Sequence, residues 1–259
     1  MRYSLACLSD TGVVREHNED NFAFFGNVMP FEHQSSDVYA MDTTDDDSFA
    51  VAVFDGMGGG AAGEAASFAA AESLGEYVRG VNVWDQSSIL SAYECMNSAV
   101  LDAAIAEKAP SMGATAVMLT SSHGNSWVSN LGDSPALLYD GSRLVTLTVA
   151  HTDEGLMNAL GISGRRPGLT QYLGIDTREM TIEPYLIPVA FEPGCCLLLC
   201  SDGLTDMVSN VAVQSVLMKE EPARRKALEL RDLAREHGGK DNITVIVCDV
   251  LPAEGACHD

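Results

Sequence analysis

The sequence predicts an α+β layered domain, and three observations carry that expectation. Strand-like and helix-like runs come in blocks: strands, two helices, more strands, two helices, one strand. The helical blocks place apolar residues at helical spacing, which marks a packing stripe. The strand-like runs are short, apolar and broken by turn signals such as Asp140-Gly141. No Pro/Ser-rich linker and no repeat divides the 259 residues, so 1–259 is read as one domain.

Taken in order, residues 3–9 alternate weakly, as a first strand ending in the turn Ser9-Asp10-Thr11-Gly12. A charged stretch, 13–20, leads into strand character at 21–25. Residues 29–48 lack periodicity and hold Asp42, Asp45, Asp46 and Asp47, so 28–48 is read as an exposed acidic loop or insertion. An EF-hand spacing is missing there. The run AVAVF at 50–54 reads as a strand buried on both faces. It ends in Asp55-Gly56, then Gly58, Gly59 and Gly60, where bare backbone suits positive φ or a close ligand.

Two helices are expected next, an Ala-rich one at 63–79 and a second at 87–108, closed by Pro110. The second carries Ile89, Tyr93, Met96 and Val100 on one stripe. A four-stranded meander is expected at 115–120, 126–130, 136–139 and 144–147. Residues 151–174 are irregular, with a short helical stretch near 156–160 and the basic pair Arg165-Arg166. Strands resume at 181–186 and 195–200, the latter running into Asp202-Gly203. Helices at 211–218 and 223–237 precede a last strand at 243–250.

A formal net charge of −22 argues against a nucleic-acid backbone or an anionic membrane as main partner, since both would be repelled. It is compatible with divalent cations or basic proteins. Seven cysteines, an odd count without a C-x-x-C pair, read as reduced core residues. No apolar run approaches the roughly 18 residues that span a bilayer. The start, MRYSLACLSD, lacks the pattern of a signal peptide. Cytoplasmic location is the expectation.

One feature recurs: apolar strands meet acidic residues at their ends. Asp55 and Asp202 follow two such strands, Asp241 precedes the last, Asp133 sits in a meander turn, and Glu19-Asp20 precede the strand at 21–25. If these ends meet at one rim, the like charges must take up protons or be neutralised by cations. All-oxygen ligands favour Mg²⁺ or Mn²⁺ over zinc. Two such ions roughly 3.5–4 Å apart can activate a water and orient a phosphoryl group. Metal-assisted phosphoester hydrolysis is the chemistry this supports. Scattered Asp-Gly turns would give the same spacing, and spacing alone does not exclude them.

The same residues resemble a known family, the metal-dependent serine/threonine protein phosphatases of the 2C type. The resemblance runs in order through SDTGVVREHNED (9–20), VFDGMGG (53–59), GAT (113–115), NLGDS (130–134), LTQYLG (169–174), LCSDGLT (199–205) and GKDNIT (239–244). The glycine-rich DGMGG form looks bacterial. The resemblance implies a four-layer αββα sandwich, two packed antiparallel sheets flanked by helices, with metals at one edge. It implies that Asp55 bridges two Mn²⁺ or Mg²⁺ ions, with the Gly56 carbonyl on one of them. Asp202 and Asp241 would complete the first site, Glu19 would reach the second, and Asp20 would orient bound waters. Asp133 matches the position that helps hold a third, weaker metal. Arg15 matches the phosphate-binding arginine, and a planar guanidinium can grip two phosphate oxygens. The implied reaction hydrolyses phosphoserine or phosphothreonine with a metal-bridging water and no covalent intermediate. The implied partners are phosphorylated proteins and a Ser/Thr kinase or its targets, with a monomer as the default.

Several residues depart from the family pattern. Met57 stands where eukaryotic members place a histidine as candidate general acid, and methionine donates no proton. Ser134-Pro135 follows Asp133 where an arginine is usual, which removes a donor near the third-metal side. His151 is the histidine of the nearby loop, and the segment before it lacks the usual acidic residue. The flap-like segment, 151–169, is short. Two other readings therefore stay open: a phosphoprotein-binding module on the same fold, and a phosphatase of aryl or small phosphoesters.

Overall fold

Apolar alternation along the strand at the centre of the chain explains the layering. In β4 (Phe49–Met57), Val51 and Val53 point into one apolar layer while Ala50, Ala52 and Phe54 point into another. A strand with two apolar faces needs a cover on each. The computed structural model describes residues 1–45, 47–59 and 61–253; Asp46, Gly60 and Cys257 lie outside the described residues.

The other strands are β1 (Arg2–Asp10), β2 (Asp20–Phe24), β3 (Tyr39–Thr44), β5 (Gly113–Ala114), β6 (Ala116–Ser122), β7 (Asn125–Leu131), β8 (Ala136–Tyr139), β9 (Leu144–Thr146), β10 (Tyr185–Val189), β11 (Cys196–Cys200) and β12 (Ile243–Leu251). The helices are α1 (Ala61–Val78), α2 (Gln86–Glu107), α3 (Glu154–Leu160), α4 (Asp202–Thr205), α5 (Asn210–Leu217) and α6 (Ala223–Glu236). One sheet runs β3-β1-β12-β11-β8-β9 and the other β10-β7-β6-β4-β2, with β5 paired to the end of β4. The strand pairings are antiparallel throughout.

Between the sheets lie Tyr3, Leu5, Phe22, Phe24, Val51, Val53, Leu197, Leu199 and Ile246. Outside the second sheet, α1 and α2 bury Leu74, Ile89, Tyr93 and Met96 against Phe54 and Met118. Outside the first, α5 and α6 bury Val216 and Leu230 against Leu8, Leu198 and Val247. Each large apolar side chain so buried contributes about 1.5–3 kcal/mol, and together they hold the strand ends in fixed register. Asp85 caps α2 in a reciprocal box with Ser88. The four layers are those the resemblance implies.

Three local expectations change. The stretch 29–48, expected to be an exposed loop, contains β3, which pairs with β1 from Tyr39 to Thr44. It is an edge strand whose side chains are mostly exposed, so backbone pairing holds it and no burial pattern announces it. The meander is also divided. β6 and β7 belong to one sheet and β8 and β9 to the other, so the turn at Gly132-Asp133 crosses between sheets. Gly132, at φ +105°, makes that crossing; a Cβ there would lie 2.7 Å from the Thr115 side chain. Finally, the strand expected at 181–186 lies at Tyr185–Val189. It is an edge strand, which is why Pro188 is tolerated within it.

Candidate active site

The register between β2 and β4 places Asp20 directly opposite Asp55. Like charges facing each other across a ladder are destabilising, and Asp20 is only 1% exposed. The other sheet adds to the problem. Asp202 opens α4 directly after β11, and Asp241 lies two residues before β12. Asp133 arrives from the crossing turn. Burial, then the charges of Asp20, Asp202, Asp133 and Asp241, push the Asp55 carboxyl well above the usual range. Burial also raises Asp20, against the pull of hydroxyl donors from Ser201 and Thr244, with Asp202 and Asp241 adding to the rise. Burial raises Asp202 against the opposing charge of Arg166. It raises Asp133 as well, again opposed by Arg166.

A polar scaffold holds these groups together. Ser201 Oγ donates to Asp20 Oδ2 at 2.6 Å, and the Thr244 amide donates to Ser201 Oγ at 3.0 Å. Asn242 accepts the Glu19 amide at 2.8 Å and donates to the carbonyls of Thr11 and His17, both at 2.9 Å. One side-chain amide thus fixes both ends of the loop that carries Arg15. The Asp55 amide donates to Thr115 Oγ1 at 3.2 Å, and that hydroxyl meets Ser134 Oγ at 2.6 Å. The end of β4 is thereby tied to the Asp133 turn. The Gly56 amide donates to the Glu19 carbonyl at 3.1 Å. A Cβ on Gly56 would lie 2.1 Å from the Gly63 carbonyl, and one on Gly63 would lie 2.1 Å from Glu19 Oε2. The two glycines let α1 press against the loop that presents Glu19.

Two guanidinium groups reach this rim. Arg15 Nη2 donates to Asp241 Oδ2 at 2.8 Å, with its side chain 47% exposed. Arg166 Nη2 donates to Asp202 Oδ2 at 2.5 Å and lies 3.2 Å from Asp206 Oδ2. Among the described residues, no three His, Cys, Asp or Glu side chains stand close enough to hold an ion as they are oriented here. Asp241 and Asp202 are turned to the arginines instead. The donor set still fits hard divalent cations. It offers only oxygens, and the nearby thiol, Cys200, is pushed up by burial and by Asp202 and Asp20, so it stays protonated.

The structure brings Asp20, Asp55, Asp202, Asp241 and Asp133 into one electrostatic group, with Arg15 and Glu19 on its border. His151 has a different task. Its Nδ1 accepts the Gly132 amide at 3.1 Å and its own amide donates to the Gly132 carbonyl at 3.0 Å, clamping the Asp133 turn. Burial pushes its imidazole down. Arg166 was legible only as half of a basic pair. Its charge acts on Asp133, whose following residue, Ser134, provides no cation. Ser201 and Asn242 carried a fainter signal, a polar residue beside an acidic one at the end of an apolar strand.

Two face-to-face antiparallel sheets, helices outside them and a buried all-oxygen rim at one edge define the class, an αββα sandwich built around cation-requiring carboxylates. A family model described as Protein phosphatase 2C matches residues 33–228. The serine/threonine phosphatase stp of Listeria monocytogenes serotype 4b is 28% identical over 93% of this chain and 93% of its own length. The serine/threonine protein phosphatase PstP of Mycobacterium tuberculosis is 31% identical over 97% of this chain and 45% of its own length. The solved catalytic domain of PstP in complex with two manganese ions superposes with a TM-score of 0.77 at 27% identity, over 97% of this chain and 100% of that one. The chain belongs to the protein phosphatase 2C family.

Proposed function

We propose that the chain is a metal-dependent protein phosphatase that hydrolyses phosphoserine and phosphothreonine. The facing pair Asp20 and Asp55, with Asp202 and Asp241 adding charge of the same sign, carries this reading. At neutral pH such a group must hold protons or cations among its members, and its all-oxygen donors fit divalent cations. Asp55, Asp202 and Asp241 would hold one divalent cation and Asp55 and Glu19 a second, with the Gly56 carbonyl on one of the two, and Asp133 would help hold a third, weaker one. Two Mn²⁺ or Mg²⁺ ions, when bound, neutralise these carboxylates and supply Lewis acidity to water and to the phosphoryl group.

The chain's own residues do the rest. Arg15 binds two phosphate oxygens and holds phosphorus in line for attack by a water oxygen. Asp20, fixed by Ser201, orients water. As the bond between phosphorus and the seryl or threonyl oxygen breaks, that oxygen takes up a proton, leaving inorganic phosphate and a free hydroxyl. No bond to the enzyme forms. Arg166 meets the substrate from the flap side, where Ser134-Pro135 provides no donor.

The substrates are phosphorylated proteins, with a Ser/Thr kinase or its targets as partners, in the cytoplasm, and the chain acts as a monomer in one domain over 1–259. No helix among the described residues is long and apolar enough to cross a membrane. One observation favours a second substrate class. Met57 follows Asp55-Gly56 and has no proton to donate, and His151 Nδ1 accepts the Gly132 amide while burial lowers the imidazole, which disfavours the imidazolium that a general acid would need. Aryl phosphates need less protonation of the leaving group.

The test assays a phosphothreonine peptide and p-nitrophenyl phosphate with Mn²⁺, with EDTA and in Asp202→Asn. Metal-dependent turnover of both supports the protein phosphatase. Turnover of the aryl ester alone supports the second class, and turnover of neither supports a binding module.

A further inference from the structure

We infer that the Asp10–Arg235 ion pair is a positioning device for the loop that carries Arg15, and so sets how tightly phosphate is held. The inference rests on the reading of Arg15 given above.

Neither residue belongs to the acidic rim. Asp10 ends β1, nearly buried, and Arg235 lies in the last turn of α6. Asp10 Oδ1 accepts the Gly12 amide at 2.8 Å and Arg235 Nη1 at 2.5 Å. The same Arg235 nitrogen reaches the Gly12 carbonyl at 3.2 Å. Gly12 is therefore gripped at both its amide and its carbonyl. It sits at φ +84° with no room for a side chain, since a Cβ would lie 2.3 Å from the Asp241 carbonyl oxygen.

The next two amides, of Val13 and Val14, both donate to the Gly239 carbonyl, at 2.7 and 3.2 Å. Gly239 closes α6, its own amide bonding to the Ala234 carbonyl at 2.9 Å. Two short segments thus leave one anchor. One runs three residues from Gly12 to Arg15, the other two residues from Gly239 to Asp241. They meet again where Arg15 Nη2 bonds Asp241 Oδ2 at 2.8 Å. Geometry this short transmits small shifts, and displacement of about 1 Å at a reacting group can change rates about 10²-fold. A purely structural role is the competing account, in which Arg235 stabilises the end of α6 through its dipole.

The experiment separates the two. In Arg235→Ala, KM for p-nitrophenyl phosphate and the inhibition constant of inorganic phosphate should rise about five- to tenfold, with kcat changed less than about twofold. Arg235→Lys should recover part of the loss, because it restores the charge beside Asp10 without the planar fork. In an Arg15→Ala background, Arg235→Ala should add nothing, since it acts through Arg15. Hydrogen exchange at the Val13 and Val14 amides should quicken about tenfold or more, while Leu230 inside α6 is unchanged. Unchanged phosphate affinity in a folded Arg235→Ala protein, or full additivity with Arg15→Ala, overturns the inference. Should Arg235→Ala not fold, Arg235→Lys and Asp10→Asn give intermediate values of the same constants, and unchanged values overturn it. If the unmodified protein lacked metal-dependent turnover, the Arg15 reading would fail. The exchange measurement would still decide whether the ion pair holds the loop that carries Arg15, supported by quickened and overturned by unchanged exchange.

Discussion

The two flanks of the acidic rim present the same chemical group in different ways. On one flank Arg15 sits in a loop fixed by Asn242, by the Gly239 carbonyl and by the Asp10–Arg235 pair. On the other, Arg166 rides on a segment tied at its stems. His151 pairs with Gly132, and the Asp153 and Gly168 backbones bond each other. Between those stems, Leu156, Leu160 and Ile162 of the flap are exposed and bury little. Both guanidinium groups touch a carboxylate, but the loop of the first is bonded to β1, α6 and the start of β12, whereas the Arg166 carbonyl accepts from its neighbour Arg165 at 3.1 Å within the flap itself. Preorganisation of this kind removes an entropy term that the second must meet at the moment of binding.

The comparison can be broken at its centre. Asp202→Asn removes a carboxylate of the shared acidic rim, and kcat/KM should fall by about 10²–10³-fold, the range for losing one preorganised electrostatic group. Steady-state assays with Mn²⁺ check it, and a loss under tenfold would remove Asp202 from the machinery. Arg15→Ala should lose about 1.5–3 kcal/mol of charge-assisted hydrogen bonding, about 10- to 100-fold in kcat/KM, mostly through KM. Arg166→Ala tests the flap flank. An exposed ion pair contributes about 0.2–1 kcal/mol, so the loss should be only about two- to fivefold, and larger for a phosphopeptide than for p-nitrophenyl phosphate. An Arg166→Ala loss exceeding that of Arg15→Ala would reverse the assignment of the two flanks.

The gentlest test is pH. Asp20, Asp55 and Asp202 have their folded values raised above the unfolded reference of 3.8, Asp202 to about 6 and Asp20 to about 7. Carboxyls raised in the native state bind more protons folded than unfolded, so their stabilisation is complete below 3.8 and is lost as pH rises through about 6 to 7. His151, lowered by burial, pulls the other way, one group against four, since burial raises Asp133 as well. The melting temperature of EDTA-treated protein should therefore fall between pH 5 and pH 8. Added Mn²⁺ should raise it more at pH 8 than at pH 5. A melting temperature that climbed across this range without metal would mean the carboxylates are already neutralised.

Much of the site was legible because acidic residues at the ends of apolar strands break a pattern. Asp55 and Asp202 stood out as charges abutting AVAVF and LLLC. Arg166 did not, since its partners lie 36 and 40 positions further along the chain and nothing local marks the pairing. β3 was missed because an edge strand leaves no alternation to read. The division of the meander was missed because hairpin turns report neighbours in sequence, whereas Gly132 and Pro135 carry the chain to the opposite sheet.

By itself the sequence determined a layered α+β domain, through the order of its strand-like and helical apolar runs, the four layers, through its resemblance to a known family, and the all-oxygen chemistry, through the residue types at the strand ends. Only the tertiary structure decided that Asp20 faces Asp55, that Asp133 reaches the seam between the sheets and that each arginine takes a different carboxylate. Those facts depend on long-range strand register and on which sheet a turn enters. Both are fixed by packing between segments that no local pattern connects.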